Sequence, residues 1–297
     1  MSGFLSFYCT LDEAMREIRA KDTRDPKYML GLLPAISQRL MKYARRDFEP
    51  VYETRTFVAG RMNVVPSQNA LKLNDYLLEL EAVSIGGSGL TVGTDVDLYP
   101  TNGVKPATKL YLLSTCRSSV TWYGTGCLPG TYSSPLVQIQ VAGWWGYKER
   151  YAAEGWLTAD AIQAAALATN ATTFAVAEVE GSDPRGFEPR LSTGQLIRVD
   201  DELMRVVETT TSNTLEVLRA QRGTEAAAHA QGAAVKLWNV EEDVRRAAQR
   251  WASLQYQRKG VFETARIEEA VITLPADMPV EVEQIMGSYF DDGAGNF

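Results

Sequence analysis

Residues 239–260, NVEEDVRRAAQRWASLQYQRKG, leave this chain little choice but an amphipathic helix near its C-terminal end. Asn239 is the predicted N-cap, with Glu242 three residues on to close a capping box. Glu241, Glu242 and Asp243 fill the first turn, and Arg258 and Lys259 the last, each where the helix dipole favours its charge. Gly260 suits the left-handed conformation that ends helices. Val240, Val244, Ala247, Trp251 and Leu254 recur at steps of four and three and form one apolar stripe. A stripe of this kind must be buried, so the rest of the chain has to supply a surface for it.

Two further helices are expected near the start. Thr10 and Glu13 form a second capping box ahead of a short helix carrying Leu11, Met15 and Ile18 on one face. Asp25-Pro26 is a cap followed by proline at the first helical position. Leu30, Leu33, Ile36 and Leu40 continue that helix, and Pro34 is expected to kink or split it. Lys42, Arg45 and Arg46 make its last turn basic. The dipole accounts for them more simply than a nucleic-acid contact does. Residues 1–9 form an arm whose Phe4, Phe7 and Tyr8 are expected to dock, with disorder as the alternative.

From Phe48 the period changes to two. Residues 51–58, VYETRTFV, read as a strand, and 76–85, 98–99, 109–113, 119–123 and 136–141 follow as further strands of an antiparallel module. Trp144, Trp145 and Tyr147 are expected to fill the seam between this sheet and the helices, with Trp251 from the helix side. An exposed cluster that binds sugar is the alternative. Residues 156–170 are alanine-rich and alone would read as helix. Short strands at 172–176, 195–199, 203–208, 214–218 and 233–237 then predict a small inserted barrel. Asp200, Asp201 and Glu202 read as a solvated hairpin turn. Beyond 260 come an extended segment at 267–274, a short helix at 280–289, and a tail anchored by Tyr289, Phe290 and Phe297.

The expected fold class is therefore α+β: a helical core from residues 10–46 and 239–290, an antiparallel β module and an inserted small β-barrel. The expected divisions are 1–49, 50–150, 151–238 and 239–297. Hydrophobic content of 45% is enough for a sizeable core, and no apolar run approaches the ~20 residues of a membrane span. The N-terminal residues show no secretory signal pattern. A net charge of −7 argues against a nonspecific DNA binder, which gains affinity by releasing phosphate counterions. His229 is the only histidine, which removes most catalytic triads and zinc sites. Asp95 and Asp97 lack the ligand spacing of a calcium loop. Cys9, Cys116 and Cys127 have no metal spacing; reduced thiols are expected, with a Cys116–Cys127 bridge as the alternative. No catalytic residue, metal or cofactor is expected.

The stretches at 35–57 (AISQRLMKYARRDFEPVYETRTF), 77–87 (LLELEAVSIGG), 97–100 (DLYP), 120–126 (VTWYGTG) and 137–147 (VQIQVAGWWGY) resemble the head–tail connector proteins of long-tailed bacteriophages. The closing helix and 272–289 (ITLPADMPVEVEQIMGSY) resemble that family's C-terminal end. The inserted part is similar to a small β module of phage structural proteins, through 194–207 (GQLIRVDDELMRVV) and 218–235 (LRAQRGTEAAAHAQGAAV). His229 stands in that module's G-T-x-A-x-x-H run, which implies a turn role, and Ala220 replaces a glycine that is usual there.

The resemblance implies a noncatalytic ring of about twelve copies in the virion neck, beneath the portal protein. Its implied partners are other copies of itself, the portal protein and the next neck or tail protein. Genome DNA would pass through the lumen without specific binding, and no membrane is involved. On this reading Phe4, Phe7 and Tyr8, and Tyr289, Phe290 and Phe297, anchor the two termini on neighbouring rings. Arg245, Arg246 and Arg250 are candidates for ion pairs between subunits. The rivals are another neck or tail protein, such as a terminator or baseplate part, and a carbohydrate-binding or hydrolytic module using Trp144, Trp145 and the carboxylates at 200–202.

Overall fold

A computed structural model describes residues 5–18, 25–58, 64–65, 70–101, 103–113, 138–163, 165–210, 213–258 and 278–290. It divides into two compact units: residues 50–155 form one, and residues 1–49 with 156–297 form the other.

The unit of residues 50–155 is a seven-stranded antiparallel sheet. Its strands are β1 (Val51–Val58), β2 (Val64–Val65), β3 (Ala70–Ile85), β4 (Ser88–Leu90), β5 (Val96–Tyr99), β6 (Ala107–Leu112) and β7 (Gln138–Trp145). The main order is β1-β7-β3-β6-β5, with β2 and β4 pairing onto β3. The alternation in the sequence has its expected consequence: Phe57, Leu71, Val83, Leu110, Ile139 and Val141 turn to one side and form an apolar core around Trp145. Gly143 lies where β7 crosses the irregular part of β3. A Cβ there would fall 2.2 Å from the Glu79 carbonyl oxygen, so only glycine fits.

In the other unit β8 (Trp156–Ala161), β9 (Thr173–Ala175), β10 (Leu196–Val199), β11 (Glu202–Thr209), β12 (Thr214–Leu218) and β13 (Ala234–Trp238) form a six-stranded antiparallel sheet, ordered β8-β13-β10-β11-β12-β9. An antiparallel bridge from Gln163, just past β8, to Ala175 in β9 brings the two ends together and curls the sheet into a small barrel. Its first and last strands are partners, Trp156 opposite Trp238, so the barrel leaves the chain where it entered.

The helices of this unit are α1 (Leu11–Arg16), α2 (Pro26–Ala44), α3 (Glu242–Gln257) and α4 (Val280–Gly287). The Thr10 hydroxyl accepts from the Glu13 amide, and the Glu13 carboxylate accepts from the Thr10 amide, which is the predicted capping box. Asp25 caps α2 through the Tyr28 amide, with Pro26 next. Pro34 does not split α2, which runs unbroken to a left-handed Arg45. On α3 the predicted stripe is buried at Val244, Ala247 and Trp251, against α1, α2 and α4.

Three expectations are corrected. Among the described residues strand outweighs helix, 36% against 24%, so a helical connector core does not organise the fold. The reason is that each sheet closes a core of its own, and the helices bury their stripes on one another. Second, the alanine-rich stretch after Trp156 begins as strand β8. Helix propensity is a weak prior, and here it yields to the pairing with β13 and to the Trp156 ring, packed edge-on to Trp238 at 5.0 Å. Third, Asn239 does not start α3. Glu241 holds the N-cap position without a side-chain cap, because residues 239–241 carry the chain out of β13.

Trp144, Trp145 and Tyr147 are all buried. Trp145 belongs to the core of its own sheet, where its Nε1 donates to the Glu53 carbonyl at 3.0 Å and the Arg55 guanidinium covers its ring at 4.1 Å. Trp144 packs on Tyr52, and Tyr147 edge-on to Tyr76. Trp251 is buried on α3, with the Arg39 guanidinium 5.8 Å from its ring. The strand expected at 119–123, the segment at 267–274, Gly260, Cys116 and Cys127 lie outside the described residues.

Candidate functional site

The three arginines singled out by the helical pattern line one groove. It has a volume of about 700 Å³ and opens among α1, α3, α4 and the loop carrying Phe187. Arg245 forms its floor and is almost fully buried. Its Nη1 donates to Glu13 at 2.6 Å, Nη2 donates to Glu242, and the Phe187 ring lies 4.5 Å from the guanidinium. Burial alone would lower the Arg245 pKa; the Glu13 and Glu242 carboxylates outweigh it and hold the group charged. As an inter-subunit residue Arg245 is therefore corrected: its bonds are spent inside its own chain. Arg246 and Arg250 are exposed on the rim, paired with Glu242 and Glu281. Such pairs exchange partners at little cost.

The terminal aromatics fold back onto the chain. Tyr8 is fully buried, edge-on to Phe48 at 5.5 Å, and Phe48 in turn meets Tyr289 at 5.4 Å. Tyr8 is thus a core partner of Phe48, and the half-buried Tyr289 packs on the same ring, so neither is a free anchor. Phe7 is half-buried between the Arg205 guanidinium, at 5.2 Å, and Gly194. Gly194 has φ +94, and a Cβ there would sit 3.0 Å from the Phe7 ring. Phe290 stays 43% exposed, beside Tyr43 and under Arg45, which leaves it able to meet a partner. Phe4 and Phe297 lie outside the described residues.

Sequence reasoning missed two buried charge clusters. The first fastens the N-terminal arm. The Glu49 carboxylate accepts from Arg205 Nη1 and Nη2 at 2.7 and 2.6 Å and from the Phe7 amide at 3.1 Å. Arg205 also donates to the Leu5 carbonyl. Arg222 donates to Ser6 Oγ and the Glu49 carbonyl and pairs with Asp47. The partners lie up to 216 residues apart in sequence, so no local pattern marks them. The available signal was a charged residue, Arg205, inside the apolar run of β11.

The second cluster centres on Glu202, which was expected to be solvated in a hairpin. Asp200 and Asp201 do form the exposed turn between β10 and β11, but Glu202 faces inward and is buried. Its carboxylate accepts from Arg219 Nε and Nη2 at 2.7 and 2.6 Å, and from the Ala220 and Ala227 amides at 3.0 Å each. His229 is also buried, with Nε2 2.9 Å from Glu202 and Nδ1 2.7 Å from Asp200. Burial would push the Glu202 carboxyl up; the donors outweigh it and hold the group down at about 2. An acid this strong, with its oxygens taken up by protein donors, is poorly suited to proton transfer near neutrality. It is well suited to stapling the loop between β12 and β13 to the barrel. Ala220 takes a left-handed φ of 53°, and its amide donates to Glu202.

Trp144 and Trp145 are buried in the sheet, which removes the stacking platform that a carbohydrate site would need. Among the described residues no group of histidine, cysteine and carboxylate side chains is placed to hold a metal ion, and no helix is long and apolar enough to cross a membrane. Neither a scan against protein-family models nor a search of curated proteins finds a match to this chain.

Proposed function

We propose that this chain is a noncatalytic virion neck protein that forms a ring under the portal, extends the DNA channel and docks the next neck or tail component. The observation that carries the proposal is the ordered resemblance to phage head–tail connectors at residues 35–57, 77–87, 97–100, 120–126 and 137–147, with a phage-type β module between them and the closing helix. The described parts of these stretches fall largely on regular elements, α2, β1, β3, β5 and β7, rather than on loops. The pairing of β8 with β13 supports reading 156–238 as an insert, since a barrel that begins and ends on neighbouring strands can be added without moving its host. A net charge of −7 suits a channel that must let phosphate slide past. The two buried charge clusters serve the fold, which also suits a structural role.

The test is to mix the purified protein with portal rings and image the product by electron microscopy, with native mass as the count. A closed ring stacked on one end of the portal is expected. Rings or tubes on tail components, with no portal binding, would favour a terminator or baseplate role instead. Because Tyr289 belongs to the Phe48 cluster, the C-terminal anchor is tested by removing only residues 291–297. That truncation is expected to weaken docking to the neighbouring ring while far-UV circular dichroism stays unchanged. Full docking without those residues would end the tail-anchor idea.

A further inference from the structure

Among the described residues most arginines are paired with carboxylates. Arg205, Arg219, Arg222 and Arg245 are buried in ion pairs, and even the exposed Arg150, Arg246 and Arg250 have carboxylate partners. Arg39, Lys42 and Arg45 do not. They lie at steps of three along the exposed side of α2 and just past its end, and among the described residues none has a carboxylate partner. Two of them touch aromatic rings instead, Arg39 over Trp251 and Arg45 over Phe290. The helix dipole explains cations in the last turn, but its influence fades before Arg39.

A second patch has the opposite sign. Glu208 on β11 stands directly opposite Glu216 on β12, so both carboxylates project from the same face of the barrel. Both are exposed, and among the described residues neither has a cationic partner. Like charges placed opposite each other destabilise a strand pair, so the barrel carries a local repulsion that no described residue relieves by an ion pair. Beside them Leu218, on the face of Glu216, is 52% exposed, and Val207, in the bulge next to Glu208, is 38% exposed. A pair of carboxylates flanked by two exposed apolar side chains has the composition of an interface patch.

We infer that these two patches are the two halves of one head-to-tail contact: the Arg39–Lys42–Arg45 ridge of one copy docks on the Glu208–Glu216 pair of the next. Charge complementarity selects a second copy as the occupant. The ridge finds unpaired carboxylates, the carboxylates lose their mutual repulsion, and Phe290 is available to the exposed Leu218 and Val207. Two different patches of one chain meeting between copies make a heterologous contact, the kind that closes into rings. The inference rests on the ring reading above and specifies its interface.

The test uses the full chain with three variants: Arg39→Glu/Lys42→Glu/Arg45→Glu, Glu208→Lys/Glu216→Lys, and all five changes together. Ring yield is read by native mass, alone and on portal rings, with melting curves to confirm that every variant is folded. Each separate reversal is expected to cut ring yield about tenfold or more, and about 0.5 M salt to weaken the wild-type ring in solution. The combined variant, whose charges are exchanged and complementary again, is expected to recover the ring. So is an equal mixture of the two separate variants. Wild-type stoichiometry in both separate reversals would place the contact elsewhere and overturn the inference while leaving the ring reading intact. A combined variant that stays dissociated would overturn the pairing of these two patches. Loss of duplex-DNA capture by the ridge variant, with its ring intact, would make the ridge a nucleic-acid contact. A wild-type chain that stays monomeric in both settings would overturn the inference and the ring reading together.

Discussion

The two sheets of this chain solve the same problem differently. The seven-stranded sheet is held by apolar packing around Trp145, with its charges kept to the surface or laid over rings, as Arg55 is over Trp145. The barrel also has an apolar core, but one of its long connections, the loop between β12 and β13, is fastened by a buried carboxylate. Apolar packing is tolerant: side chains of similar volume can be exchanged at modest cost. A buried ion cluster is intolerant, because removing one member strands the others. The difference teaches that the barrel should be the more brittle of the two, and brittle toward charge and pH where the sheet is brittle toward volume.

Several substitutions would break this contrast if it were wrong. The largest expected effect is in the sheet: Trp145→Ala should cost about 4 kcal/mol, read as lost hydrogen-exchange protection in β1, β3 and β7. Next is the barrel. Glu202→Gln keeps the shape but removes the charge that faces Arg219, and should cost about 3 kcal/mol, confined to β10–β13 and the loop they hold. Acid should reproduce that loss in the unaltered chain. The folded Glu202 carboxyl is held at about 2, below its ordinary 4.5. Its contribution, on the order of 3 kcal/mol, is therefore complete above pH 4.5 and disappears as pH falls through 2. A pH titration followed by Trp156 and Trp238 fluorescence should show this component, and Glu202→Gln should lack it.

Smaller effects sharpen the picture. Ala220→Gly relieves a left-handed alanine and should stabilise the barrel by about 0.5–1 kcal/mol in a thermal melt, after the added freedom of the unfolded chain is subtracted. Arg246→Ala removes only an exposed pair with Glu242 and should change stability by less than about 0.5 kcal/mol.

The contrast between the sheets also explains what the sequence made legible. Period-two alternation marked β1, β3 and β7 because an apolar core writes itself into neighbouring positions. Local caps were equally plain, since Thr10 and Glu13, or Asp25 and Tyr28, lie three residues apart. The polar clusters were hidden because their partners are distant. Glu202 finds Arg219 after 17 residues and His229 after 27, and Glu49 finds Arg205 after 156. Read locally, Glu202 is one more acid at a turn. The start of α3 was misplaced for a related reason: leaving β13 required three extended residues that the capping pattern at Asn239 did not reveal. The helices themselves were found, but their weight in the fold was overestimated, because periodicity marks an amphipathic face without saying what buries it.

The most direct measurement is residue-resolved hydrogen exchange on the unaltered chain and on Glu202→Gln, at neutral pH and near pH 3. At neutral pH the substitution is predicted to expose β10–β13 and the loop of residues 219–229, leaving β1, β3 and β7 protected as before. Near pH 3 the unaltered barrel is predicted to move toward the variant's pattern. Equal loss of protection in both sheets, or a barrel indifferent to both the substitution and the acid, would contradict the account that a buried carboxylate holds one sheet and apolar packing the other.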